Sequence, residues 1–275
     1  MRFKQVDVFT DKPFLGNPVA VVLDADGLRS EEMQRIACWT NLSETTFVLK
    51  SEVADYRLRI FTPRQELPFA GHPTIGAAHA ALESGFVARK DRLRQECGAG
   101  IIELALEDGR IFLKGPEAKL APLEHAHREA LGHGLGATLA EAMRVDVGPV
   151  WLVAEVPDVA RLKPDMAHLA ALSEALEATG ATVYSRSADG ESAIHVRSFA
   201  PAHGIPEDPV CGSGNLSVAV FLKQKNKLEN FGSRYVARQG MALGRDGRVW
   251  VRIDPDGIRI GGHAVTCVEG TLTPP

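Results

Sequence analysis

Cysteine is scarce in this chain of 275 residues. The four present, Cys38, Cys97, Cys211 and Cys267, are scattered and form no CxxC pair. That argues against a disulfide framework or a structural zinc site and reads as free thiols in a reducing compartment. An excess of positive charge is also missing. Thirty-one Lys and Arg against 35 Asp and Glu give a net charge of −4, so no broad basic field draws the protein to nucleic acid or to an anionic membrane. No run of about 18 apolar residues exists to span a bilayer. The first residues, Met1-Arg2-Phe3-Lys4-Gln5-Val6-Asp7, lack the apolar core of a signal peptide, and the expected compartment is the cytoplasm. Low-complexity segments are absent too. What remains is 45% hydrophobic and 24% charged, the composition of a folded globular chain, and its length suits two domains or one large one.

What the sequence does have is self-similarity. Pro18-Val19-Ala20-Val21-Val22 resembles Pro149-Val150-Trp151-Leu152-Val153, and Thr45-Thr46-Phe47-Val48 resembles Thr182-Val183-Tyr184-Ser185. Arg59-Ile60-Phe61-Thr62-Pro63 matches Arg197-Ser198-Phe199-Ala200-Pro201, and Pro68-Phe69-Ala70-Gly71 matches Pro209-Val210-Cys211-Gly212. Asp108-Gly109-Arg110-Ile111-Phe112-Leu113 matches Asp246-Gly247-Arg248-Val249-Trp250-Val251. Five matches in one order argue for two similar halves.

Local patterns fill in the halves. Val19 to Leu23 is a β-branched run, hence a buried strand, and Arg57 to Phe61 and His195 to Arg197 alternate like half-buried strands. Ser30 is the expected N-cap of a helix with Glu31 and Glu32 in its first turn and Met33, Ile36 and Ala37 on one face. The matching helix is predicted over 165–179, stopped by Gly180 as a C′ glycine. Asp108-Gly109, Asp246-Gly247 and Asp256-Gly257 read as hairpin turns. Two stretches, Thr74 to Leu82 and Asn215 to Leu222, are apolar on nearly every face, so each is a helix buried on all sides. Strands before and after each give a sheet or barrel wrapped around a central helix, built twice. Residues 116–147 interrupt the repeat. Their His125, His127 and His133 lack a metal-ligand spacing, and a solvated helix linking the halves is expected there.

Each central helix opens on a turn of small residues, Ala70-Gly71-His72-Pro73-Thr74 and Cys211-Gly212-Ser213-Gly214-Asn215. The first amides of a helix lack internal partners and carry its positive dipole end, so two such turns facing each other would seat a carboxylate. His72 and Ser213 hold equivalent positions in them. The halves differ in their acids. Glu44 is matched by Ala181 and Asp208 by Leu67, which suits asymmetric proton transfer by a carboxyl whose apolar surroundings raise its pKa. Cys211 is matched by Ala70, so a two-thiol mechanism is unavailable. Three other readings stay open: an epimerase with a second base opposite Glu44, a hydrolase using Ser213 with His72 as base, and a non-catalytic small-acid-binding protein.

Asn17 within Gly16-Asn17-Pro18, Asn41-Leu42-Ser43-Glu44-Thr45, Gly71-His72-Pro73-Thr74 and Asp208-Pro209-Val210-Cys211-Gly212-Ser213-Gly214-Asn215 resemble the signature segments of the PhzF-like isomerase family, related in fold to diaminopimelate epimerase. The resemblance spans nearly the whole chain. It implies an α+β protein of two pseudo-symmetric domains, each a mixed β-barrel around a central α-helix. The first would cover 1–116, completed by 258–275, and the second 117–257, with the site between them. It further implies a cofactor-free, metal-free isomerase of a small carboxylated metabolite that forms a homodimer. Glu44 would remove and return a proton, with His72, Asp208 and Ser213 assisting. Asn17, Ser43, Gly71, Thr74, Gly212 and Gly214 would bind the substrate.

Overall fold

A computed structural model describes residues 1–274, and Pro275 lies outside the described residues. The chain divides into two compact units. One comprises Met1–Leu113 and the stretch from Gly261 onward, and the other Lys114–Ile260. These borders lie a few residues from those read in the sequence because the residues flanking the junction pack with the second unit. Gly115 N–H donates to the Ile258 carbonyl at 2.8 Å, and the Leu216 side chain fills the space a Cβ on Gly115 would need.

In the first unit, β1 (Arg2–Val8) lies antiparallel to β2 (Asn17–Val22). The helix α1 (Ser30–Thr40) crosses over to β3 (Thr45–Leu49), which runs parallel to β2 as a helical connection requires. Ser30 is the first helical residue and not the cap. Arg29 occupies the cap position, and its backbone N–H donates to Glu32 Oε2 at 2.8 Å, while the Ser30 hydroxyl accepts from Arg59. The chain continues through β4 (Tyr56–Phe61) and the short β5 (Glu66–Leu67) into α2 (Gly71–Glu83). It emerges in β6 (Arg92–Cys97), parallel to β4, and finishes with β7 (Gly100–Glu107) and β8 (Arg110–Lys114). The β7–β8 hairpin turns on Asp108 and Gly109, whose φ values of 50° and 74° suit a type I′ turn. The helix α2 packs against β1 to β4. A Cβ on its Gly76 would collide with the Val19 side chain, so the glycine lets the helix sit close on β2.

The second unit repeats this plan. The strands β9 (Lys119–Pro122), β10 (Ala142–Asp146) and β11 (Val150–Glu155) form an antiparallel set. Between β9 and β10 lies α3 (His125–Leu135). It is not a solvated linker: Leu131 and Leu135 are fully buried in a core shared with Leu169 and Leu172 of α4 (Met166–Ala175). That helix leads to β12 (Gly180–Arg186), parallel to β11. It ends earlier than the pattern implied, because Glu177 turns left-handed at φ 48° and Ala178 N–H closes on the Ser173 carbonyl. Gly180 therefore opens a strand and does not cap the helix. The strands β13 (Ile194–Ala200) and β14 (Ile205–Asp208) lead into α5 (Gly212–Gln224). After it come β15 (Arg234–Gln239), parallel to β13, then β16 (Gly247–Asp254) and β17 (Gly257–Gly262). Asp246-Gly247 is not a two-residue turn, since Gln239 pairs with Gly247 across a longer loop. The helix α5 packs on β10, β11, β12 and β16. The last strand, β18 (Ala264–Thr271), lies antiparallel to β1 and packs on α2 in the first unit. The result is an α+β fold in which each unit wraps a mixed sheet around a central helix. No helix is long and apolar enough to cross a membrane among the described residues.

The sheet register slides several of the matches between the halves: Ala20 pairs with Thr45 as Leu152 does with Ala181, and the Asp108-Gly109 turn corresponds to Asp256-Gly257 between β16 and β17. Thr45 pairs with Phe61, and Ala181 with Phe199. Since Phe61 and Phe199 are equivalent, Thr45 corresponds to Ala181 and Glu44 to Gly180. The partner of Glu44 is still not an acid. Leu67 pairs with Ile60 and Asp208 with Ser198, which keeps Leu67 as the counterpart of Asp208.

Candidate active site

Glu44 sits between the left-handed Asn41 that ends α1 and the first residue of β3. Its carbonyl accepts from Ala20 N–H of β2, which fixes its backbone at the end of the parallel pair. Its side chain meets the opening turn of α2. Glu44 Oε2 lies 3.3 Å from His72 Nε2, with the two side chains 15% and 8% exposed. That approach is not aligned as a hydrogen bond, and Oε2 is buried without one. Burial pushes the Glu44 carboxyl up to about 7, only partly offset by a hydrogen bond from Ser43. A carboxyl at that value is divided between acid and base near neutral pH.

The other expected residues of this unit occupy distinct surroundings. Asn17 is buried at the start of β2. Thr74 is fully buried one turn into α2, and its hydroxyl accepts from Gln95 Nε2 at 3.2 Å. Gly71 begins α2 with no side-chain cap from Ala70, and a Cβ added there would meet nothing within 4 Å. Packing does not require this glycine, and the space over the helix end is open.

In the second unit the expected residues gather around the opening turn of α5. Asp208 ends β14, and its Oδ1 accepts from Val210 N–H at 3.0 Å, an Asx turn leading through Pro209. Cys211 is the N-cap: its Sγ accepts from Gly214 N–H at 3.3 Å. Burial, reinforced by Asp208, holds the thiol well above its ordinary pKa against smaller opposing effects of Ser213 and Gly214. A neutral buried thiol is a poor nucleophile, and Ala70 at the matching cap excludes a thiol pair. Ser213 Oγ accepts from Trp151 Nε1 at 3.0 Å and lies 3.6 Å from Cys211 Sγ. Neither neighbour is a base able to activate it. A Cβ on Gly214 would sit 2.7 Å from Ser198 Oγ and 2.9 Å from Thr182 Oγ1, so this glycine answers a packing need.

His125 and His127 face solvent, and His125 pairs with Glu129. Among the described residues, no three His, Cys, Asp or Glu side chains converge to hold a metal ion. Sequence reading passed over Trp151 and two fully buried glutamines, Gln95 and Gln239, that reach the opening turns. A signal for the glutamines existed: the same dipeptide, Arg94-Gln95 and Arg238-Gln239, recurs on β6 and β15, each parallel to the strand that leads toward a central helix.

Comparison with known proteins follows the same lines. A family profile described as "Phenazine biosynthesis-like protein" matches residues 6–270. The chain is 41% identical to antisense-enhancing sequence 1 of Schizosaccharomyces pombe, over 98% of this chain and 97% of that one. It is 35% identical to trans-2,3-dihydro-3-hydroxyanthranilate isomerase of Pseudomonas aeruginosa, over 98% of each. Among solved structures, a PhzF-family phenazine biosynthesis protein of Bacillus anthracis superposes with a TM-score of 0.87 at 32% identity, covering 99% of both chains.

Proposed function

The chain belongs to the phenazine biosynthesis-like family and is an isomerase, and from that premise we propose that Glu44 moves a proton within a small carboxylated metabolite without a metal or organic cofactor. The observation that carries this reading is the buried carboxyl of Glu44, held near a pKa of about 7 beside His72. An ordinary glutamate is a weak base. Raising its pKa by two to three units strengthens it roughly several-hundredfold while leaving a usable fraction ionised at neutral pH. Once protonated, the same group is an acid and can deliver the proton to another carbon on the same face. His72, 3.3 Å from the carboxyl, is assigned to steady its ionised form. Asp208 and Ser213 are assigned to polar groups of the substrate. The Ser213 hydroxyl accepts from Trp151, and its own proton, which faces Cys211 Sγ across a long 3.6 Å contact, can turn to the substrate. The Pseudomonas aeruginosa relative is named for a cyclic amino acid, and substrates of that class are the first to test.

The test is incubation in deuterated water with trans-2,3-dihydro-3-hydroxyanthranilate and a panel of small unsaturated cyclic carboxylates, followed by NMR. Rearrangement with deuterium at the receiving carbon is the expected result. Failure of every member of the panel to react would remove support for this substrate class. Because the base must be ionised to take a proton from carbon in either direction, kcat/KM should rise with pH and level off above an inflection near 7. A flat profile from pH about 5 to 9 would contradict the role of Glu44. Treatment with a chelator is expected to leave the rate unchanged. Loss of activity restored by one divalent ion would overturn the cofactor-free reading.

A further inference from the structure

We propose that Gln239 is a positioning residue that fixes the turn carrying Asp208, Cys211 and Ser213. The proposal rests on the reading above, in which Asp208 and Ser213 act on the substrate. Gln239 ends β15 and is fully buried. Its Oε1 accepts from Cys211 N–H at 3.2 Å and from Asn215 Nδ2 at 2.8 Å, and its Nε2 donates to the Asp208 carbonyl at 3.0 Å. One planar amide thus ties the residue before the turn, the cap of α5 and the end of that helix's first turn. Asn215 closes the same loop by donating to the Cys211 carbonyl at 2.9 Å.

Two features separate this from an incidental polar contact. First, the chain around Gln239 is shaped to press on the same turn. Gly240 has φ 100°, and a Cβ there would lie 2.6 Å from the Pro209 carbonyl, while a Cβ on Gly247 would collide with the Val210 side chain. The end of β15 and the start of β16 therefore approach residues 209–210 closely, and Gln239 supplies polar partners in that buried contact. Second, the other unit also sets a buried glutamine against the first turn of its central helix, two places earlier on the corresponding strand. Gln95 lies on β6, which is parallel to β4 as β15 is to β13, and it pairs with Tyr56, whose equivalent Ile194 pairs with Ala237. Its Oε1 accepts from the Tyr56 hydroxyl at 2.9 Å and its Nε2 donates to Thr74, the counterpart of Asn215. The requirement is for a neutral group with both donor and acceptor. A glutamate would set oxygen against the Asp208 carbonyl and bury a charge, and an apolar residue would strand three polar groups.

The experiment compares the full chain with Gln239→Met and, in case that variant folds poorly, Gln239→Asn, whose amide is too short to span the turn. Val249→Ala, a buried truncation on β16 away from these bonds, serves as a destabilised control. Iodoacetamide labelling at Cys211, resolved from the other thiols by peptide mass spectrometry, reads opening of the turn. Loss of the buried hydrogen bonds is expected to raise that labelling rate about tenfold or more in the Gln239 variants and not in the control. Turnover is the second readout. Misplaced Asp208 and Ser213 should raise KM as well as lower kcat, whereas partial unfolding lowers only the amount of active enzyme and leaves KM alone. Unchanged labelling in a folded variant overturns the proposal, and so does increased labelling with wild-type kcat and KM. If the unaltered protein turns over no substrate while the labelling difference persists, the proton-transfer reading falls and the clip stands.

Discussion

Glu44→Gln is expected to lose about 10²–10⁴-fold in turnover while gaining stability above neutral pH. The substitution keeps the planar end group and its volume but removes the titratable proton. The stability gain follows from burial. The folded-state pKa, about 7, lies above the ordinary value of 4.5, so folding favours the protonated form. That advantage is fully present below the unfolded pKa, fades as pH rises between the two values, and is gone once pH passes the folded one. Above 7 the native state holds an ionised carboxylate with a buried, unbonded oxygen. A shift of two to three units corresponds to roughly 3 kcal/mol as an upper figure. The neutral amide carries no such cost, so the variant should melt several degrees higher than wild type at pH about 8.5 and equal it at pH about 4. Both effects are measurable on one preparation, by deuterium incorporation and by thermal unfolding at two pH values. Turnover within a few-fold of wild type would end the proton-shuttle reading. Lost turnover without the pH-dependent stabilisation would mean that the carboxyl is not held in its neutral form as described. A gain in stability with lost function is the expected sign of a residue kept for chemistry.

The fold was legible because each half writes it separately. The helices α2 and α5 are apolar around nearly their whole surface, which forces strands onto every side, and the motifs recur in one order. Boundaries were less legible where a short-range device outweighed a pattern. Glu177 stops α4 by adopting a left-handed turn that no glycine announced, and α1 is capped by a backbone bond to Glu32 although Ser30 stands one residue later. The meeting of Glu44 with His72 follows from β3 and α2 being packed together, so spacing could nominate both residues without showing their contact. Gln239 escaped notice for a physical reason. A buried glutamine in a strand looks like any alternating polar position until its three partners, distant in sequence, are placed around it.

Gly180→Ala is expected to be among the most damaging single-methyl additions in the chain, and the reason bears on whether the second unit could hold an acid at the place equivalent to Glu44. Gly180 is the counterpart of Glu44. A Cβ there would collide with the Phe199 carbonyl oxygen and lie 2.9 Å from its carbon and 3.0 Å from Ala200 Cα. These are backbone atoms of β13, held in the sheet at the irregular register between Ser198 and Ala200, and they cannot rotate away as a side chain could. Phe199 is fully buried in the core beneath α4, so moving its backbone disturbs that packing too. Overpacking of this kind costs about 1–3 kcal/mol, and at a backbone collision the upper end or beyond is expected. The corresponding fall in melting temperature is roughly 6–12 °C. Gly71→Ala is the contrast, because a methyl there meets nothing within 4 Å and should change stability by no more than about 0.5 kcal/mol. Thermal unfolding of the two variants side by side decides the matter, and a Gly180→Ala protein as stable as Gly71→Ala would refute the packing argument. If the collision is real, a second acid at the position equivalent to Glu44 is sterically barred. The second unit then keeps its acid elsewhere, at Asp208, and a symmetric pair of glutamate bases is unavailable to this chain.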